Sequence, residues 1–215
     1  MAGINILAWY RLVMDSEPEF SSADLEYICA EYRTAVQLCS GRRETPEWLA
    51  AASSRGKLPR PTYVLPDGAQ MFPPDFLLLA DHAGGVDDLP FYFRDRYLIA
   101  AQAVGLDGTD AEETWAGYLS GQFGICLRDV TPESMAKKTQ LTDVIEHLIS
   151  APAAEDAAWR TALRSSVDAL DDLERPFTDY DRSRWGETSR DRYITAVRAR
   201  YRQVFTPGFA TIRQG

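Results

Sequence analysis

Leu89-Pro90-Phe91-Tyr92-Phe93-Arg94-Asp95-Arg96-Tyr97-Leu98-Ile99-Ala100 is the stretch on which the reading of this chain turns. Proline is tolerated in a first helical turn, where its missing N–H has no partner to lose. The apolar residues behind it predict a helix from Pro90 to about Val104. The phrase at its centre returns as Arg190-Asp191-Arg192-Tyr193, followed by Ile194-Thr195-Ala196. At helical spacing Arg94, Tyr97 and Leu98 share one face, as do Arg190, Tyr193 and Ile194. The text around the two copies does not align, and no repeat period is present. Two accounts fit the doubled phrase. Ion pairs lock two similar helices together, or two cationic helix starts converge on one anionic ligand.

Outward from the first copy the pattern stays helical. Ala111 to Leu119 puts Trp115, Tyr118 and Leu119 on one face, and Gly121 and Gly124 break it. Thr131-Pro132-Glu133 supplies a cap and a first-turn proline for a helix running to about Ile149. Leu141, Val144, Ile145, Leu148 and Ile149 fit its 3.6-residue period. Ala157 to Leu173 forms the next helix, ended by Arg175-Pro176. Phe177 to Gly186 reads as a polar, aromatic loop. Thr188, with Asp191 three residues on, caps the last helix in the manner of a capping box, with Tyr193, Val197 and Tyr201 on its buried stripe.

Upstream, residues 4–14 read as a short strand or the start of a helix. Ser21-Ser22-Ala23-Asp24 opens a helix whose apolar positions run through Tyr32 and Ala35 to Cys39, with Gly41 as its stop. Thr45-Pro46-Glu47 opens a second, which stops near Gly56. A strand over Thr62–Leu65 and the Asp67-Gly68 turn follow. Helix, turn, helix and hairpin is the order of a winged helix-turn-helix, and Thr45 to Phe72 resembles the second helix and wing of MerR-type regulators. The chain is therefore read as mainly α. A helix-turn-helix-plus-hairpin module occupies residues 1–85, and a helical domain with the candidate site occupies residues 86–215.

Composition bounds the function. The 215 residues are 45% hydrophobic, enough for a packed core, and carry a formal net charge of −9. That balance argues against nucleic-acid binding, which needs a surface that neutralises phosphate. Cys29, Cys39 and Cys126 have no metal-ligand spacing, and His82 and His147 do not complete a set, so no metal site is expected. The cysteines read as buried small hydrophobes in a reducing cytosol, with Cys29 and Cys39 about 15 Å apart along one helix. No apolar run reaches the roughly 20 residues of a membrane span, and Met1 to Met14 lacks a signal-peptide pattern. The expected location is the cytoplasm. No organic cofactor signature is present, so no cofactor is expected.

Four constellations carry candidate chemistry. In the doubled phrase, Arg94, Arg190 and Arg192 offer planar forks for an oxyanion, with Tyr97 beside the first. Trp115, Tyr118 and Arg128 bracket the two glycines and suit a pocket lining, the alternative being a helix-helix turn. Lys137, in Lys137-Lys138, suits an anion contact or a solvated helix face. Asp181, in the aromatic loop, suits a general base if burial raises its pKa. Cys126, flanked by Ile125 and Leu127, reads as core.

Phe93 to Tyr97, Trp115-x-x-Tyr118-Leu119-Ser120-Gly121-x-x-Gly124-x-Cys126-Leu127, Val130-Thr131-Pro132-Glu133 and Arg190 to Tyr193 together resemble a family of actinobacterial proteins associated with natural-product gene clusters. The group also resembles enzyme subunits that close aziridine rings in azinomycin-like pathways, where an amine expels sulfate from a substrate held on a carrier protein. That resemblance implies a cofactor-independent cyclase of secondary metabolism acting on a small or carrier-bound amine, with a partner subunit from the same cluster. The residue types are compatible. Arg94, Arg190 and Arg192 would face the anion, and Asp191, Asp181 or Tyr193 the amine. Two other classes remain, a winged-helix DNA-binding regulator and a non-catalytic accessory subunit.

Overall fold

The computed structural model describes residues 18–206; the stretch at 4–14 lies outside them. The Ser21 hydroxyl accepts from the Asp24 amide, and the Asp24 carboxylate accepts from the Ser21 amide, starting α1 (Ser22–Glu31). The helix expected to run on to Gly41 stops at Tyr32. β1 (Arg33–Thr34) intervenes, and a second capping box, Thr34 with Gln37, starts the short α2 (Ala35–Leu38). Tertiary pairing overrides helical periodicity here, because Arg33 and Thr34 lie opposite Phe72 and Met71 of β3 (Gln70–Phe72). Between them come α3 (Pro46–Ser54), capped by Thr45, and β2 (Tyr63–Val64).

β2 pairs antiparallel with β3, so the sheet order is β1-β3-β2. Gly68 takes a positive φ of 86° and gives its N–H to the Leu65 carbonyl, closing the hairpin. The order is thus helix, strand, two helices and a two-stranded hairpin, with the third strand central in the sheet.

The remainder is helical, and the chain as a whole is mainly helical with this one small antiparallel sheet. α4 (Leu78–Ala83) leads into α5 (Leu89–Ala103), which carries the first copy of the doubled phrase. α6 (Ala111–Leu119), the short α7 (Phe123–Cys126), α8 (Pro132–Ser150) and α9 (Ala157–Leu173) follow. Residues 179–185, read above as loop, are α10 (Asp179–Trp185). The second copy lies in a π-helical turn (Asp191–Thr195) that leads into α11 (Ala196–Arg200) and α12 (Arg202–Phe205). The single last helix expected after Thr188 is thus broken, at Tyr201.

α8 is the spine. Its first half puts Met135 and Ala136 into one core with Leu49, Leu58, Phe72, Phe93, Tyr97 and Leu127. Its second half puts Leu141 and Ile145 into another, with Leu163, Val167, Ile194 and Val197. A third, aromatic cluster joins Ile28, Tyr32, Tyr63 and Tyr180. The first core draws on both sides of Gly85, so the sheet-bearing segment and the later helices share buried surface. Burying each large apolar side chain contributes about 1.5–3 kcal/mol. Among the described residues no helix is long and apolar enough to cross a membrane. Cys39 and Cys126 are buried; Cys29, expected inside, is exposed.

Candidate functional site

The structure puts the two copies of the doubled phrase in different surroundings. Arg94 reaches Glu112 at 2.5 Å and Arg96 pairs with Glu133. Arg190 pairs with Asp171, and Arg192 reaches Glu146 at 3.0 Å. Tyr97 is fully buried in the first core and donates to Asp110 at 2.7 Å. Burial, with Asp110 beside it, pushes the Tyr97 phenol up to about 12. Tyr193 packs at the edge of the second core and donates to Glu146 at 2.8 Å. Each cation of the phrase is thus met by a carboxylate of its own neighbourhood.

Asp191 completes the capping box with Thr188 and receives Arg182 at 3.1 Å. Burial alone would raise the Asp191 carboxyl, but the hydrogen bonds from Arg182 and Thr188 outweigh it and hold it below the usual range. Asp181 is fully buried and accepts from the Thr178 amide and hydroxyl and from the Tyr63 phenol at 3.1 Å. Burial pushes its carboxyl up. Trp115 lies in the first core against Phe93 and Tyr118. Arg128 is exposed. Lys137 is exposed and reaches Gln140, whereas Lys138 turns inward to Glu174 at 2.8 Å and Ser189 at 3.0 Å. Burial pushes the Cys126 thiol up, which keeps it protonated.

A groove of about 770 Å³ opens elsewhere, between the C-terminal half of α3, β3 and the end of α6. Its polar lining is Ser53, Ser54, Arg55, Arg60, Gln70 and Ser120, with no carboxylate, imidazole or thiol. The cations around α3 have separate fates. Arg42 is taken by Glu44 and Asp81, and Lys57 by Asp87. Arg55 and Arg60 form no ion pair among the described residues, and both line the groove. The Ser53 hydroxyl is buried with no partner among the described residues. The carbonyl ends of α3 and α6 bring partial negative charge to its walls, which two full guanidinium charges outweigh.

Arg60 also borders a second, small hollow of about 20 Å³, lined by Thr62, Asp75 and Tyr118. Its walls are fixed by close backbone approach. Gly121 has a φ of 82°, and a Cβ there would lie 2.6 Å from the Arg60 carbonyl oxygen. A Cβ on Gly124 would lie 2.3 Å from the Thr62 hydroxyl. The two-glycine spacing thus serves a close backbone approach. Of the residues singled out from sequence, Tyr118 and the two glycines reach this region. Asp75, Arg55 and Arg60 carry no sequence signal of a site, and Thr62 is marked only as the start of a strand.

Fold and groove together define a mainly helical protein with one small three-stranded antiparallel sheet and a cleft lined by two arginines that form no ion pair among the described residues. A family model described as a family of unknown function (DUF6058) matches residues 92–202, just over half of the chain, and the chain belongs to that family. No curated protein and no solved structure matches it. Among the described residues no group of three or more His, Cys, Asp or Glu side chains is arranged to hold a metal ion.

Proposed function

We propose that this protein binds a small anionic molecule, free or presented by a carrier protein, in the groove between α3 and β3. It serves as the substrate-holding part of a cofactor-independent biosynthetic enzyme. The observation that carries the binding is the pair Arg55 and Arg60, which among the described residues form no ion pair and line a groove without a carboxylate, in a chain whose net charge is −9. Leaving two guanidiniums without counter-charge among so many carboxylates favours an anion supplied from outside. The volume suits a small organic ligand. The biosynthetic role is supported by the sequence resemblance alone. The groove lining supplies positioning and charge but no proton acceptor, so chemistry there draws on neighbouring residues or a partner subunit.

Titration with inorganic phosphate and sulfate, followed by amide NMR shifts, tests the binding. Saturable shifts at residues 53–60, lost in the Arg55→Ala/Arg60→Ala variant, are expected; unchanged shifts in that variant would overturn the reading. The strand order β1-β3-β2 favours a second reading, a DNA-binding regulator. Against it, the solvent face of α3 presents Glu47, Ala50 and Ser54, with no fork for base edges or phosphates. A low-salt gel shift with genomic fragments separates the two.

A further inference from the structure

The groove sets each of its arginines beside a serine. Ser54 ends α3 and Arg55 follows it as the C-cap. The Arg60 amide donates to the Leu119 carbonyl at 2.9 Å, which brings Arg60 to the end of α6, where Ser120 is the C-cap. β3 adds Gln70, whose exposed side chain has no partner among the described residues. Both serine hydroxyls already use their proton. Ser54 donates to the Ala51 carbonyl at 3.0 Å and Ser120 to the Gly117 carbonyl at 2.7 Å. They offer the groove lone pairs, one of which on Ser120 takes the Gln122 amide at 3.4 Å. Arginine is the reverse, with five N–H donors and no acceptor. The groove thus presents two cationic donors among neutral acceptors. Its apolar lining is slight, Ala50, Pro61, Ala116 and Leu119 with no aromatic ring. A ligand with a large apolar body would strip water from those lone pairs and give nothing back.

We propose that the ligand of the groove is the phosphate monoester of a polyhydroxylated compound, a sugar phosphate. Its phosphate lies on Arg55 and Arg60, and its hydroxyls donate to Ser54, Ser120 and Gln70. This rests on the groove reading above and adds the substrate class to it. Two guanidiniums match the charge of a phosphate monoester, about −1.5 to −2 at pH 7. The acceptors beside them call for donors on the same ligand. Those donors are neutral, because two cations alongside repel an ammonium group. Hydroxyls on the ligand skeleton meet both demands. A sugar acid shares the hydroxyls but brings a single charge, enough for one of the two guanidiniums.

The probes are glucose 6-phosphate, ethyl phosphate, phenyl phosphate and glucuronate, measured by calorimetry on the full chain. Glucose 6-phosphate is expected to bind about tenfold more tightly than either simple ester, the effect of one or two further hydrogen bonds. It should exceed glucuronate by a similar factor through its second charge. Gln70→Ala and Ser120→Ala should each lower the ratio of glucose 6-phosphate to ethyl phosphate affinity several-fold. Ethyl or phenyl phosphate binding as tightly as the sugar ester, or a ratio unmoved in both variants, would overturn the sugar and leave the groove standing. Glucuronate binding as tightly would overturn the phosphate and likewise leave the groove. No binding of any probe, or unchanged binding of glucose 6-phosphate to Arg55→Ala/Arg60→Ala, would overturn the groove and this inference with it. Circular dichroism and thermal unfolding confirm that each variant is folded.

Discussion

The same four residues, Arg-Asp-Arg-Tyr, occupy two places in this molecule and do different work in each. In α5 the phrase starts five residues after Leu89. Tyr97 points into the first core, and Asp95 is exposed with no side-chain partner among the described residues. After Thr188 the phrase falls within the first turn. There the aspartate, not the tyrosine, is the structural residue, holding the capping box and Arg182. Its tyrosine is left at the rim, reaching Glu146. Distance from the helix start decides which member of the phrase is buried, and that distance is set by Pro90 and Thr188, outside the phrase itself.

The sharpest way to break this contrast is at the tyrosines. Tyr97→Ala should destabilise the protein by about 3–5 kcal/mol, the cost of emptying a large buried ring site. Tyr193→Ala should cost about 1 kcal/mol or less. Urea unfolding of both variants measures this, and equal losses would refute the asymmetry. The aspartates should behave in the opposite sense. Asp191→Ala should cost about 1–2 kcal/mol through the lost capping box and ion pair, while Asp95→Ala leaves the midpoint in place. Because Asp191 titrates lower in the folded state than in the unfolded chain, its contribution is fully present above about pH 4. It is lost as the pH falls through its lowered folded value. The cost of Asp191→Ala should therefore fade in urea titrations near pH 3. The smallest effect is expected at the arginines. Arg96→Ala and Arg192→Ala remove exposed ion pairs, each with partners about half exposed, and should leave the thermal midpoint within experimental error.

Elements with their own start signals were legible in the sequence. Thr45-Pro46 and Thr131-Pro132 place α3 and α8 through local chemistry, a side-chain cap and a proline that needs no N–H partner. The same kind of signal was present and passed over at Thr178-x-x-Asp181, which starts α10, and at Thr34-x-x-Gln37, which starts α2. The break at Tyr32 was not legible, because the pairing of Arg33 with Phe72 is a contact between distant residues. The π-helical turn carries no sequence mark either. The groove shows the same limit. Arg42 and Lys57 are taken by Asp81 and Asp87 while Arg55 and Arg60 form no ion pair among the described residues, and no spacing rule foretells which of the five nearby cations is taken. Thr62, Asp75 and Tyr118 meet through folding alone.

Gly121 and Gly124 belong to the stretch that the family model covers, yet what they are shaped against lies upstream of it, at Arg60, Thr62 and Pro73. A single methyl at either position would act as a wedge between the sheet-bearing segment and the later helices. The two pieces are therefore cut as mortise and tenon, and exchanging one for a counterpart from elsewhere would require recarving the other at those two carbons.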